Sequence, residues 1–308
     1  MLKLGSKGEK VKVLQEFLGI TADGDFGPKT ETAVKAWQAA NGLKADGIVG
    51  QATETKMGLL DTDNTSSANP SFEGITYDKL YMDSDEYFKG PTKKRWVFLH
   101  HTAGWHDPYG TIRGWNNDTR GTIGTEFVLG GQSVKGDNSK FDGVLVQAFP
   151  RGGYAWHTGT GRHAMHTDSV GIEVCNFGQL TKGGYHKNGV WVKLKPESYY
   201  TYVGVEADPK QIVELAEAFR GYKTWHRYSD KQVDMMHKWI LYIANRDSID
   251  IRKGLIELIH SRGVFEAFDY CDVAYASSRP GMYCHTNVMR GKVDLFPQQE
   301  VVDMLMSL

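Results

Sequence analysis

Apolar positions follow two regimes along the chain. Up to about residue 60 they recur with helical spacing: Val11, Leu14, Phe17 and Leu18 form one stripe, and Val34, Trp37 and Leu43 another. The turns between the stripes echo each other, DGDFGPKT at 23–30 returning as DGIVGQAT at 46–53, a shift of 23 residues. In each copy the glycines tolerate positive φ, and Thr30 and Thr53 stand near the start of the next helix. The pattern predicts a small three-helix domain over residues 1–60. Residues 61–74 are polar, without periodicity and rich in Ser, Thr, Asn and Asp, which reads as a flexible linker.

From residue 75 to 308 the pattern is mixed. Short apolar or alternating runs at 95–100, 125–129, 144–149 and 169–175, bounded by Gly-rich turns, predict strands. Residues 208–222, 229–245 and 249–262 predict helices, the second opened by Ser229 and Gln232 at capping-box spacing. The expected fold class is α/β, with a central mixed sheet flanked by helices. Residues 178–205, rich in Gly, Tyr and Lys, read as an insertion, a hairpin at the rim of a cleft.

Composition narrows the function classes only a little. Hydrophobic residues make up 40% and charged residues 24%, ordinary for a globular protein. The 36 basic and 37 acidic side chains nearly cancel, so no broad positive field points to nucleic acid or anionic lipid as a partner. Cys175, Cys271 and Cys284 are odd in number and lack a CxxC, which indicates neither a disulfide framework nor a cysteine zinc site. The opening MLKLGSKGEKVKVL has no apolar run of the signal-peptide kind, and no stretch reaches the length of a membrane span. A monomer made in the cytoplasm is the expectation, reaching any outside substrate by another release route.

The chemistry-bearing residues lie at the two ends of the larger region. His100 and His101 close the strand-like WVFLHH, and CHTNVMRGKVDLFP at 284–297 sets His285 nine residues before Asp294, with Lys292 two before that Asp. Two imidazoles and a carboxylate suit a hydrolytic zinc ion, with a fourth position left for water. Between them, SVGIEVCN offers Glu173 among apolar neighbours and YAWHTG offers His157 on a Gly-flanked loop.

Two resemblances follow from these residues. LxxGSxGxxVxxLQ at 2–15 and the two DGxxGxxT turns resemble the type 1 peptidoglycan-binding domain family. FLHHTAG, WHTG, SVGIE and HTNVMRGKVDLFP, in that order over roughly 90–300, resemble the type 2 N-acetylmuramoyl-L-alanine amidase family, relatives of phage amidases and peptidoglycan recognition proteins. The second resemblance implies Zn²⁺ on His100, His285 and Asp294, Glu173 as the proton-handling acid, and Lys292 steadying charge on the amide oxygen. It implies hydrolysis of the lactyl amide between N-acetylmuramic acid and L-alanine, with peptidoglycan as partner, in a phage-type endolysin acting on the wall after release. The alternatives are a non-catalytic recognition protein and a cytoplasmic recycling amidase.

The chain departs from relatives at Cys284, where Gly is frequent, and at Thr125 and Glu126, where some carry Tyr followed by His. Thr125, Glu126, Trp156 and His157 are the expected substrate-contacting residues, with Glu126 a second acid candidate. Trp105, Trp115, Trp156 and Tyr154 are candidates for a sugar-stacking wall, core packing being the commoner role.

Overall fold

A computed structural model of the chain describes residues 2–50, 53, 56–57, 75–90 and 92–308, leaving aside the side chains of Glu9 and Lys10. The predicted linker at 61–74 and most of the third predicted helix lie outside the described residues. Two compact units emerge: Met1–Pro70 with Lys89–Thr92 and Arg151–Gly153, and the remainder.

In the smaller unit, helices α1 (Glu9–Phe17) and α2 (Pro28–Ala40) bury Val11, Leu14 and Val34 together with Phe26, Val49 and Met57. The echoed turns are built by one device used twice. The buried Gln15 amide holds Asp23 Oδ1 (2.7 Å) and Thr30 Oγ1 (3.0 Å), and its carbonyl accepts from Gly24 N (2.8 Å). Twenty-three residues on, Gln38 holds Asp46 Oδ1 (3.1 Å) and Thr53 Oγ1 (3.0 Å) and accepts from Gly47 N (2.9 Å). Gly24 and Gly47 both sit at φ 76°, where a side chain would be strained.

The larger unit is organised by a six-stranded sheet, β1 (Asp78–Lys79), β2 (Trp96–His101), β3 (Phe127–Leu129), β4 (Leu145–Gln147), β5 (Ser169–Val174) and β12 (Met282–Cys284), in the order β1-β4-β3-β5-β2-β12. Only the β3–β4 pairing is antiparallel, so the sheet is mixed as expected. Every residue of β2 is buried, the near-continuous apolar run of a strand covered on both faces. Helices α3 (Pro108–Trp115), α4 (Ala164–Thr167), α5 (Asp230–Asp247), α6 (Leu255–Arg262), α7 (Val264–Asp269), α8 (Val273–Ser278) and α9 (Gln299–Met306) complete this unit. The Ser229–Gln232 capping box is present at the start of α5, whose Met236, Trp239, Ile240 and Ile243 are buried. Strand β12 was not foreseen.

One predicted element changes class. Residues 208–222 are not a helix: after a short 3-10 turn they form β10 (Ile212–Phe219), which pairs antiparallel with β11 (Tyr222–His226). Leu215 and Phe219 are its buried pair, and a spacing of four puts two residues on one face of a helix and of a strand alike. Arg220 (φ 52°) and Gly221 (φ 85°) make a two-residue hairpin turn with both positions left-handed.

The insertion does contain hairpins. Strand β6 (Thr181–Lys182) pairs with β9 (Tyr199–Tyr200), and β7 (Gly184–Lys187) with β8 (Val190–Lys193) inside it. A small cluster of Val134, Phe177, Leu180 and Ala207 lies beneath them.

Candidate metal centre

Parallel pairing of β2 with β5 places His100 opposite Glu173 in register, so the two side chains leave the same face of the sheet near its carboxyl edge. His285 begins the 3-10 turn that follows β12, the other neighbour of β2. Asp294 returns beside it, its backbone carbonyl accepting from Thr286 N (3.1 Å). The result is a buried cluster in which ligand atoms of His100, His285 and Asp294 all lie within 4.8 Å of one another. Asp294 Oδ2 is 2.9 Å from His285 Nδ1 and 3.4 Å from His100 Nδ1. A tetrahedral ion with bonds of about 2.0–2.1 Å separates its ligands by about 3.3 Å, and the two Asp294–imidazole separations lie near that value.

Hydrogen-bond logic fixes which nitrogen of His100 is free. Ser169 Oγ has one proton and lies against two carbonyls, Met165 O at 2.7 Å and His166 O at 3.2 Å, so it must accept from His157 Nε2, 2.8 Å away. His157 therefore presents a lone pair at Nδ1, and His100 Nε2–H donates to it across 3.0 Å. That leaves His100 Nδ1 as a buried lone pair without a hydrogen-bond partner, turned toward a carboxylate oxygen. Two such groups repel unless a cation stands between them. The geometry is that of a metal ligand whose tautomer is set from behind. Gly171 of β5 makes room for the arrangement, since a Cβ there would lie 2.7 Å from Thr125 Cγ2 and 3.1 Å from His157 Nδ1.

Electrostatics agree. Burial, then the neighbouring His285, lowers the His100 pKa to about 4, so the ring is neutral at physiological pH. Burial and the adjacent His100 and His166 hold His157 well below its ordinary value. Burial alone would raise Asp294, but its contacts with the imidazoles of His285 and His100 outweigh it and hold the carboxyl well below its ordinary value. Glu173 is pushed well above the usual carboxylate range, by burial first and Asp294 second, with the Lys292 cation opposing. One Glu173 oxygen is buried without a hydrogen bond.

The other expected site residues are placed differently. Thr125 and Glu126, expected to touch substrate, are buried, and their polar atoms are used internally. Thr125 Oγ1 donates to Phe127 O (2.8 Å), and Glu126 takes a two-pronged hydrogen bond from Arg246 of α5 (2.6 and 3.0 Å) plus one from Gln147 (3.1 Å). Neither is available to a ligand at the surface, and Glu126 is committed to an ion pair. His157, expected to touch substrate, is placed instead to orient His100. Trp156 is exposed, with its ring 4.6 Å from that of His166. Trp115 packs under Gly124. His101 points to the opposite side of β2 and bonds the Tyr228 hydroxyl (2.8 Å). The Cys284 thiol donates to Asn287 Oδ1 (3.0 Å) and is pushed up to about 12 by burial, and it is not among the groups whose ligand atoms converge. The signal missed in the sequence is Ser169, the residue on which the tautomer chain depends.

Comparison with known proteins adds to this at the N-terminus. Residues 7–57 match the family described as "Putative peptidoglycan binding domain". No curated protein matches the chain. Among solved structures, the catalytic domain of XlyA is similar over 76% of this chain and 98% of its own, at 12% identity and a TM-score of 0.38. An AmpD derivative is similar over 77% and 99%, at 11% identity and a TM-score of 0.36. AmpDh3 from Pseudomonas aeruginosa, solved with an anhydromuramic pentapeptide, is similar over 73% and 66%, at 13% identity and a TM-score of 0.34. Likeness at this level assigns no residue a role.

Proposed function

We propose that the larger unit is a zinc-dependent N-acetylmuramoyl-L-alanine amidase and that the smaller unit holds the same polymer, as in a phage-type endolysin. The observation that carries this reading is the convergence of His100 Nδ1, His285 and Asp294 at zinc-like spacing, with Glu173 across the strand pairing from His100. The match of residues 7–57 supports peptidoglycan as the polymer.

His100, His285 and Asp294 would hold the ion, which supplies a Lewis acid for the amide carbonyl and makes bound water acidic enough to react near neutral pH. The chain's own groups do the rest. Glu173, with its raised proton affinity and a free oxygen, takes a proton from the attacking water and returns it to the departing L-alanine nitrogen. Lys292 adds a positive charge that acts on both Glu173 and His100 and would steady negative charge on the amide oxygen. His157 and Ser169 keep His100 in its binding tautomer throughout.

The test is mass spectrometry of the fragments released from purified cell wall by the zinc-loaded full chain. Intact stem peptides with a free L-alanine amine are expected, together with uncut glycan, and chelation should stop their release. New reducing sugar ends or opened cross-links alone would overturn the reading, as would binding without release.

A further inference from the structure

None of the chemistry above uses the inserted residues 178–205, yet their last turn bears directly on the site. Thr201 N donates to Val205 O (2.9 Å), Gly204 N to Thr201 O (2.9 Å) and Val205 N to Thr201 Oγ1 (3.1 Å), which closes a tight turn three times over. Its tip is Tyr202 and Val203, 50% and 47% exposed, where turns ordinarily carry Asn, Asp, Ser or Gly. Tyr202 is also tied down. Its hydroxyl donates to Ala103 O (2.8 Å), three residues past His100.

Trp105, 48% exposed, stands two residues further on, with its ring edge-on to Phe177 at 5.1 Å, and Phe177 lies 6.3 Å from the Tyr202 ring. Phe177 is buried and follows Glu173 by four residues. The two exposed rings are thus anchored to the segments that leave the strands bearing His100 and Glu173. Even fully extended, the five residues from His100 to Trp105 span no more than about 18 Å.

We propose that Trp105 and Tyr202 form a stacking platform for a sugar ring of the glycan strand next to the muramic residue whose amide is cut. This assignment rests on the amidase reading. Rigid, exposed aromatic faces beside a site suit the apolar face of a pyranose. The polar end of Tyr202 is occupied by Ala103, so what remains on offer is the ring itself. The Lys135 ammonium, 5.8 Å from the Trp105 ring centre, is placed to donate to oxygens around the sugar. A stem peptide, with its free carboxylates, would ask instead for several cations.

The experiment uses the zinc-loaded full chain and two soluble substrates with the same stem peptide, one on a single muramic residue and one on a tetrasaccharide. Trp105→Ala and Tyr202→Ala should each lower kcat/KM about tenfold on the tetrasaccharide and less than twofold on the monosaccharide, while Tyr202→Phe keeps most of the wild-type value. Calorimetric binding of a peptide-free tetrasaccharide should weaken about tenfold in the same two Ala variants. Equal losses on both substrates would assign the platform to the stem peptide and overturn the proposal, as would unchanged values on both. If the wild type cuts neither substrate the amidase reading fails, and the binding comparison still decides: affinity unaltered by the substitutions removes the platform.

Discussion

Replacing His157 by Phe keeps a ring of similar size and removes both nitrogens that set the His100 tautomer. Without Nδ1 as acceptor, the buried His100 Nε2–H loses its 3.0 Å bond, and the ring is no longer held with its lone pair at Nδ1. Moving the proton to Nδ1 then costs little, and a proton there competes with the metal for the same lone pair. Outer hydrogen bonds of this kind are worth about 10–100-fold in metal affinity, or about 1.4–2.7 kcal/mol. His157→Phe should fall near the upper end. Ser169→Ala, which removes only the 2.8 Å support of His157, should fall near about tenfold. Competition for zinc against a chromophoric chelator reads the affinity, and the visible spectrum of the cobalt-substituted protein reads the ligand geometry. Melting temperatures of the metal-free variants must stay near wild type for the comparison to stand. Zinc affinity within twofold of wild type in His157→Phe would refute the tautomer chain.

Further outcomes follow from the same geometry. Glu173→Gln should reduce amide hydrolysis by about 10²–10⁴-fold while zinc affinity changes little, and parallel losses in both would place Glu173 among the ligands instead. Arg246→Ala strands Glu126 and Asp247 in the interior and should cost about 3–5 kcal/mol in denaturant unfolding, whereas a loss under about 1 kcal/mol would mean the pair is solvated. His226 is buried, its Nδ1 accepting from Phe177 N (3.1 Å), and burial lowers its pKa from 6.5 to about 3. Its folded form therefore resists protonation. The stability it contributes is complete above about pH 6.5 and is lost as pH falls toward 3, about 2 kcal/mol between 6.5 and 5. His226→Gln should flatten the unfolding profile by that amount, and an unchanged slope would count against it.

What could be read in the sequence was local or carried by a motif. Each of the four predicted strands overlaps an observed one, and α5 with its capping box was legible because all its signals lie within one helix. Residues 208–222 misled because Leu215 and Phe219 satisfy both periodicities, while the discriminating signal was Arg220-Gly221, a hairpin turn placed where a helix end had been expected. In the smaller unit the repeated turns were visible, but the glutamines that build them were not. Gln15 and Gln38 stand eight residues before Asp23 and Asp46, and a polar residue within a helical stripe reads as solvated until its partners are seen.

The two acidic candidates show most clearly why the site was only partly legible. Glu173 lies within β5 and Glu126 immediately before the neighbouring β3, and nothing in either local stretch says which one would serve a metal. The difference comes from a residue 120 positions away. Arg246, near the end of α5, neutralises Glu126 through two hydrogen bonds, and Asp247 joins the same buried group. A carboxylate so engaged has both oxygens committed to hydrogen bonds. Glu173 has the opposite surroundings: a buried oxygen without a hydrogen bond, a second carboxylate nearby, and a proton affinity raised accordingly. In the proposed reaction the two like residues would divide into a structural and a chemical role, through a partner that only the folded chain brings into place. Freeing Glu126 by removing Arg246 should then destabilise the protein without creating a second acid at the site, because Glu126 stays buried and still accepts from Gln147 (3.1 Å).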